Sequence, residues 1–438
     1  MWTILLQMQR WALPEPSWRN KFLNCMMSKK SLWIGLCLVN LCIVAILGVT
    51  LRSKIVFSIP LIDYRQVLSA HSHFAFGGWV GLSLMTLLTF DVLPVFHKKY
   101  IWILVGIELS SLGMGLLFPF FGYAPLTVFF SSIYILISFA FAWYFMKDLL
   151  RSSTNNTVKL LGVSAIISMI LSSLGPLGLS YILLSKSGNS LLYRDSIYTF
   201  LHFQYNGFFT LSVFTLVMNH VIKKNYPINV NAKRFALFLC LSILPSLFLS
   251  MLWHNSTLLY IIAGIGCILI LISLFYFLKY IVEFPWEKFY DQRLALNMWK
   301  LAAFSFGLKM ALNVGTIFPK LGNAIYGNRP VIIGFLHLVF LGFVSFYILS
   351  NLIENNLFIN RSRQMKLPFF LFGFGIVANE SLLMLQGLEI LFKTNSTLYS
   401  WLLWGVSIIL FIGAASILIS FLAADKYISG QKKEAVLV

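Results

Sequence analysis

The chain has 438 residues, of which 59% are hydrophobic and 11% charged. Soluble domains carry about 25% charged residues, so this chain could not cover a water-facing surface and a soluble globular class is excluded. The net charge of +19 is scattered through short segments between apolar runs, not gathered in a patch or arm, which excludes nucleic acid as the partner.

Apolar stretches long enough to cross a bilayer need about 20 residues at ~1.5 Å rise each. They are predicted at 31–51, 68–90, 100–118, 125–147, 160–184, 196–221, 235–253, 257–280, 298–318, 328–351, 367–386 and 397–423. The fold class expected is therefore all-α, a polytopic membrane bundle of twelve helices over 31–423. The ninth stretch is the weakest, because it carries Lys309, Asn313 and two glycines. Eleven is the fallback count.

Residues 1–30 lack the sustained apolar core and small-residue cleavage site of a signal peptide. Trp2, Trp11 and Trp18 with Arg10, Arg19 and Lys21 suggest a basic cytoplasmic segment lying on the membrane surface. A start at Met26 or Met27, just before Lys29 and Lys30, is the alternative. Residues 424–438 read as a basic cytoplasmic tail. With twelve spans, 24 Lys and Arg fall on the side of the termini and 8 on the other, with Lys309 inside a span. That bias predicts both termini in the cytoplasm, and the location expected is a bacterial inner membrane. Cys25, Cys37, Cys42, Cys240 and Cys267 form no C-x-x-C pair and no C-x-x-C-H, so they read as small buried hydrophobes.

Five of the seven histidines are expected in the outer half of the membrane. His71 and His73 open the second span, His202 is early in the sixth, His254 ends the seventh and His337 is early in the tenth. By helical rise His202 lies roughly 9 Å and His337 roughly 13 Å below the outer end. His97 and His220 lie at cytoplasmic ends and read as interfacial. Imidazoles are costly in lipid unless paired or bound, and histidine is a usual haem and copper ligand. A faint internal echo, His then an apolar stretch then Gly, recurs in spans two, six and ten.

These residues resemble the catalytic subunit I of haem–copper oxidases, closest to the cbb-type cytochrome c oxidase and nitric oxide reductase branch. That family has twelve helices, cytoplasmic termini and metal ligands from helices two, six, seven and ten. In span two, Ala70-His71-Ser72-His73-Phe74-Ala75-Phe76-Gly77-Gly78 resembles the segment that ligates the low-spin haem, with either His71 or His73 as the ligand. In span ten, Ile333-Gly334-Phe335-Leu336-His337 through Gly342 resembles I-G-H-x-H-x-x-x-L-G. His337 matches the low-spin ligand, while Phe335 replaces the high-spin ligand. His202, followed by Gly207-Phe208-Phe209, and His254 match two of the copper ligands.

The resemblance implies a b-type haem on His71 or His73 and His337, with a residual copper site at His202 and His254. It also implies respiratory subunits or an electron donor as partners, beside the bilayer. The missing ligands argue against oxygen reduction of the usual kind, and leave electron transfer, nitric oxide handling or redox sensing. Membrane proteins of the NnrS type, linked to nitric oxide response, are similar in helix count and paired histidines. Glu108, Lys309 and Glu380 deep in spans, with Tyr205 on the His202 face, read either as a proton path or as packing residues. The competing readings are a cofactor-free transporter or respiratory-complex assembly factor, and a membrane enzyme using His202 and Tyr205 as acid and base.

Overall fold

Among the described residues, twelve long helices follow one another, each overlying one of the predicted stretches. The computed structural model describes residues 17–319, 321–322, 328–358, 366–391 and 396–437. In chain order they are α1 Ser17–Val56, α2 Tyr64–Val92, α3 Lys99–Phe121, α4 Pro125–Arg151 and α5 Asn156–Ser185. Then come α6 over 190–223, α7 Val230–His254, α8 Thr257–Glu283 and α9 Arg293–Gly315. Last are α10 Arg329–Glu354, α11 Leu367–Leu391 and α12 Leu398–Leu437. Among the described residues there is no β-strand.

Ten of these helices are long and apolar enough to cross a membrane, which marks a multi-pass membrane protein. The two others, α6 and α9, are diluted by polar residues that face inward: Gln204, Asn206, Lys309 and Asn313 are all buried. Span two is the most enclosed of the ten, as suits the helix expected to carry two histidines. Other helices turn residues such as Trp102, Trp143 and Phe304 outward, the pattern of a lipid-facing surface.

Of the N-terminal segment, residues 1–16 lie outside the described residues. The segment does not end at residue 30 as a separate unit, because residues 17–30 continue into α1 as one helix. Residues 424–437 likewise continue α12, so the expected tail is helical backbone.

Contacts between helix ends sort the loops onto two faces. On one face Lys30 pairs with Asp91 at 2.5 Å and Lys99 with Asp148 at 2.7 Å. There Lys224 also reaches both Asp291, at 2.9 Å, and Glu354. On the other face Trp404 donates to Ser53 at 3.0 Å, and Arg329 lies over the Tyr64 ring at 4.8 Å. Asp195 there accepts from Trp253 at 3.0 Å and from His254 at 2.8 Å.

Helices α2, α6 and α10 meet in the centre, and each contains a π-helical segment: Ala75–Gly81, Phe203–Phe209 and Leu338–Ser345. A π-helical turn inserts an extra residue and shifts the helix phase, and such turns recur at functional sites. Phe76, Phe209 and Phe340 join the three, with ring centres 4.5 Å (76–340), 5.4 Å (209–340) and 5.8 Å (76–209) apart. Trp79 adds a hydrogen bond to Ser345 at 2.9 Å.

Candidate functional site

The two histidines that approach each other are His71 on α2 and His337 on α10. Their ring centres are 6.5 Å apart and their planes 20° from parallel. Each ring is held from behind: Nδ1 of His71 lies 3.1 Å from the Val44 carbonyl of α1, and Nδ1 of His337 lies 2.8 Å from the Ile333 carbonyl one turn earlier. A carbonyl can only accept, so Nδ1 carries the proton in both rings and Nε2 is left with its lone pair. This is the tautomer that ligates a metal through Nε2.

The rings lie near-parallel, at a separation of the order that two metal–nitrogen bonds of ~2.0 Å each would span. Close to the His71 ring, Gly48 of α1 leaves room that a side chain would narrow, since an added Cβ would lie 3.4 Å from the ring.

His73 is turned the other way. Its Nδ1 bonds the Ser69 carbonyl at 2.8 Å, and its ring stacks on Phe118 at 4.6 Å with Tyr123 edge-on at 5.9 Å. Of the two candidates left open by the sequence, His71 is the one set against His337.

Beside the pair a cleft of about 300 Å³ is lined by Arg52, Tyr64, Arg329, Ile333, Leu383 and Gln386 among others. Arg52 stands near both imidazoles, and Ile333 is the residue whose carbonyl anchors His337. Two guanidiniums beside a histidine pair suit an anionic edge on whatever the pair holds. The cleft is smaller than a whole haem and accounts for that charged edge alone. Neither arginine was singled out by sequence, although both flank spans that meet at the histidines.

His202 and His254 are not brought together as a copper pair. His202 donates from Nε2 to the Ile243 carbonyl at 2.8 Å and accepts at Nδ1 from Asn206 at 3.1 Å, so both ring nitrogens are used. His254 bonds Asp195, which lies seven residues, or about 10 Å of helix, before His202 on α6. Phe335, where the resembling family has a haem ligand, packs edge-on against Tyr205 at 5.5 Å. Among the described residues, no three His, Cys, Asp or Glu side chains gather as a metal-holding group.

The proposed proton-path residues fall into three separate groups. Lys309, fully buried, donates to the Thr210 hydroxyl at 2.7 Å and lies 3.4 Å from the Tyr205 carbonyl. Asn313 extends this group through Asn206 to His202. Glu108 instead accepts from Asn40 at 2.7 Å, and Glu380 accepts from its neighbour Asn379 at 3.1 Å.

Aligning the π-helical segments sharpens the sequence echo into a register. His73, His202 and His337 are each followed by an aromatic residue three positions on (Phe76, Tyr205, Phe340) and a glycine five on (Gly78, Gly207, Gly342). Eight positions on stand Gly81, Thr210 and Ser345. The last two hydroxyls bond the carbonyls of Tyr205 and Phe340, at 2.5 and 2.8 Å. At Gly81 a Cβ would lie 2.7 Å from the Phe76 carbonyl, so no side chain fits there.

Compared with known proteins, the chain matches no family model and no curated protein.

Proposed function

We propose that this protein is a membrane-embedded b-type haem protein of the haem–copper oxidase subunit I architecture, acting in electron transfer or in nitric oxide- or oxygen-linked redox chemistry. The observation that carries this reading is the facing of His71 and His337, each with Nδ1 tied to a carbonyl and Nε2 free. Bound between them, haem would supply a one-electron couple. His71 and His337 would hold the haem; the Val44 and Ile333 carbonyls fix their tautomers; Arg52 and Arg329 would offer partners to an anionic group on it. The hydrogen-bonded state of His202, the Asp195 bond of His254 and the Phe335 side chain favour a haem holder over a four-electron oxygen reductase. We keep copper at His202 and His254 out of this reading, because binding there would first break those bonds.

The same reading takes all twelve helices as crossings. Lys224, at the end of α6, meets Asp291 and Glu354 on one face while Asp195, near its start, meets His254 on the other, and this supports α6 as a full span. The richer Lys and Arg count favours that first face, with both termini, as the cytoplasmic side of a bacterial inner membrane.

The test is the dithionite-reduced minus oxidised visible spectrum of the purified protein. A six-coordinate b-type spectrum, lost in both His71→Ala and His337→Ala and kept in His73→Ala, is the expected result. A haem-free wild type after haem-supplemented expression would overturn the reading and favour a transporter or assembly factor.

A further inference from the structure

Helices α1 and α2 run antiparallel, and their facing side chains form a ladder from the basic face to the histidine pair. The first rung is the Lys30–Asp91 ion pair. Next, the Cys37 thiol faces Ser83 and Thr86. Then Asn40 donates to the Gly78 carbonyl at 2.8 Å and to Glu108 of α3 at 2.7 Å. The last rung is the Val44 carbonyl on His71. From Lys30 to Val44 the ladder climbs fourteen residues of α1, about 21 Å at helical rise.

Along these rungs buried oxygens go without a partner. Asp91 Oδ2, Asn40 Oδ1, Glu108 Oε1 and Ser111 Oγ are all inaccessible and unbonded among the described residues, and the Ser83 and Thr86 hydroxyls meet only the Cys37 thiol. Ser111 lies one turn above Glu108 on α3, and its hydroxyl is 2.8 Å from where a Cβ on Gly77 would stand. Unsatisfied buried polar atoms are rare and costly, at about 1–3 kcal/mol each. Four on one seam of three helices, beside two hydroxyls that meet only a thiol, is the donor and acceptor pattern that buried water fills, since such a water needs 2–4 polar partners.

We propose that this seam holds a file of water that lets Glu108 exchange its proton with the basic face. The proton passes from water to Glu108 Oε1 and back, no electron moves, and Lys30 with Asp91 marks the inlet. Glu108 is the one carboxyl on the route between that inlet and the His71 anchor, which makes it the store. The seam stands apart from the haem assignment, because its water and its carboxyl need no cofactor.

The test is infrared spectroscopy of the full-length protein in lipid nanodiscs after transfer to deuterated buffer, over a range of pH that includes the protonated form. The protonated carboxyl band of Glu108 is identified by its loss in Glu108→Gln. The expected result is isotope exchange of that band within minutes in the wild type. Ser83→Ala with Thr86→Val should slow it at least tenfold. Ser110→Ala is the control, since Ser110 bonds its own helix carbonyl at 2.7 Å, and should leave the rate alone. Thermal melts of each variant exclude loss of fold as the cause. A Glu108 band that stays unexchanged for hours, or that exchanges equally fast in the double variant, would overturn the proposal whether or not haem is bound.

Discussion

At the scale of single residues, chemistry here is decided by which ring nitrogen is free. Four histidines that look alike in sequence divide by their partners. His71 and His337 spend only Nδ1, His202 spends both nitrogens, and His254 is taken by Asp195. Their place along each helix was legible, because it follows from counting residues. Sequence left His71 and His73 open, because two residues are about 200° of helix rotation and only packing says which faces inward. If the Val44 carbonyl sets the His71 tautomer, the Nδ1 bond, being made to backbone, cannot be removed by mutation at 44. Gly48→Val should instead crowd the ring, and we expect weakened haem retention with little change in melting temperature, read by spectrum and by thermal melt.

At the scale of elements, the apolar stretches were legible because a membrane span is written as an uninterrupted run; most helix ends followed within a few residues, but the first helix begins and the last ends 14 residues beyond the apolar run, where polar residues hide a continuing helix. The π-helical segments were not legible, since a wide turn is fixed by neighbours pressing on it and not by local propensity. Gly207 shows the pressure: a Cβ there would lie 2.3 Å from Ser168 Cβ of α5. We expect Gly207→Ala to destabilise by about 1–3 kcal/mol through overpacking, with partial rescue by Ser168→Gly. Gly405→Ala, where nothing lies within 4 Å, should be neutral or slightly stabilising by helix propensity. Equal melting temperatures for the Gly207 and Gly405 variants would contradict this packing account.

At the scale of the whole molecule, Lys and Arg counts yield only an expected sidedness, while the cross-ties between loops were not legible, since each joins residues far apart in sequence. Lys224 illustrates one. Partial burial works against its charge, but hydrogen bonds and attraction from Glu354 and Asp291 outweigh that and hold its ammonium above the usual lysine range. A raised folded value means the stabilisation is complete below the unfolded lysine value of about 10.4, and fades as pH rises through the folded one. We expect Lys224→Met to lower the melting temperature at pH 7 to 9, and the difference from wild type to shrink above pH ~11. A difference that grows with alkalinity would reverse the sign of this contribution. Cysteine labelling in right-side-out vesicles checks sidedness independently: Cys introduced at Asp291 should be shielded, and Cys at Asp63 should react.

The Lys224 tie also has a mechanical consequence. It fastens the ends of α6 and α10 to the segment leading into α9, and the Glu354 carboxylate additionally accepts the backbone N–H groups of Asp291 and Gln292, at 2.9 and 3.3 Å. Three helices clamped at one end can part only at the other, like the blades of a fan. The arginine-lined cleft and the His71–His337 gap lie toward that opposite end. Any widening of that gap would therefore come by splaying of the rim at that end, while the end tied by Lys224 stays shut.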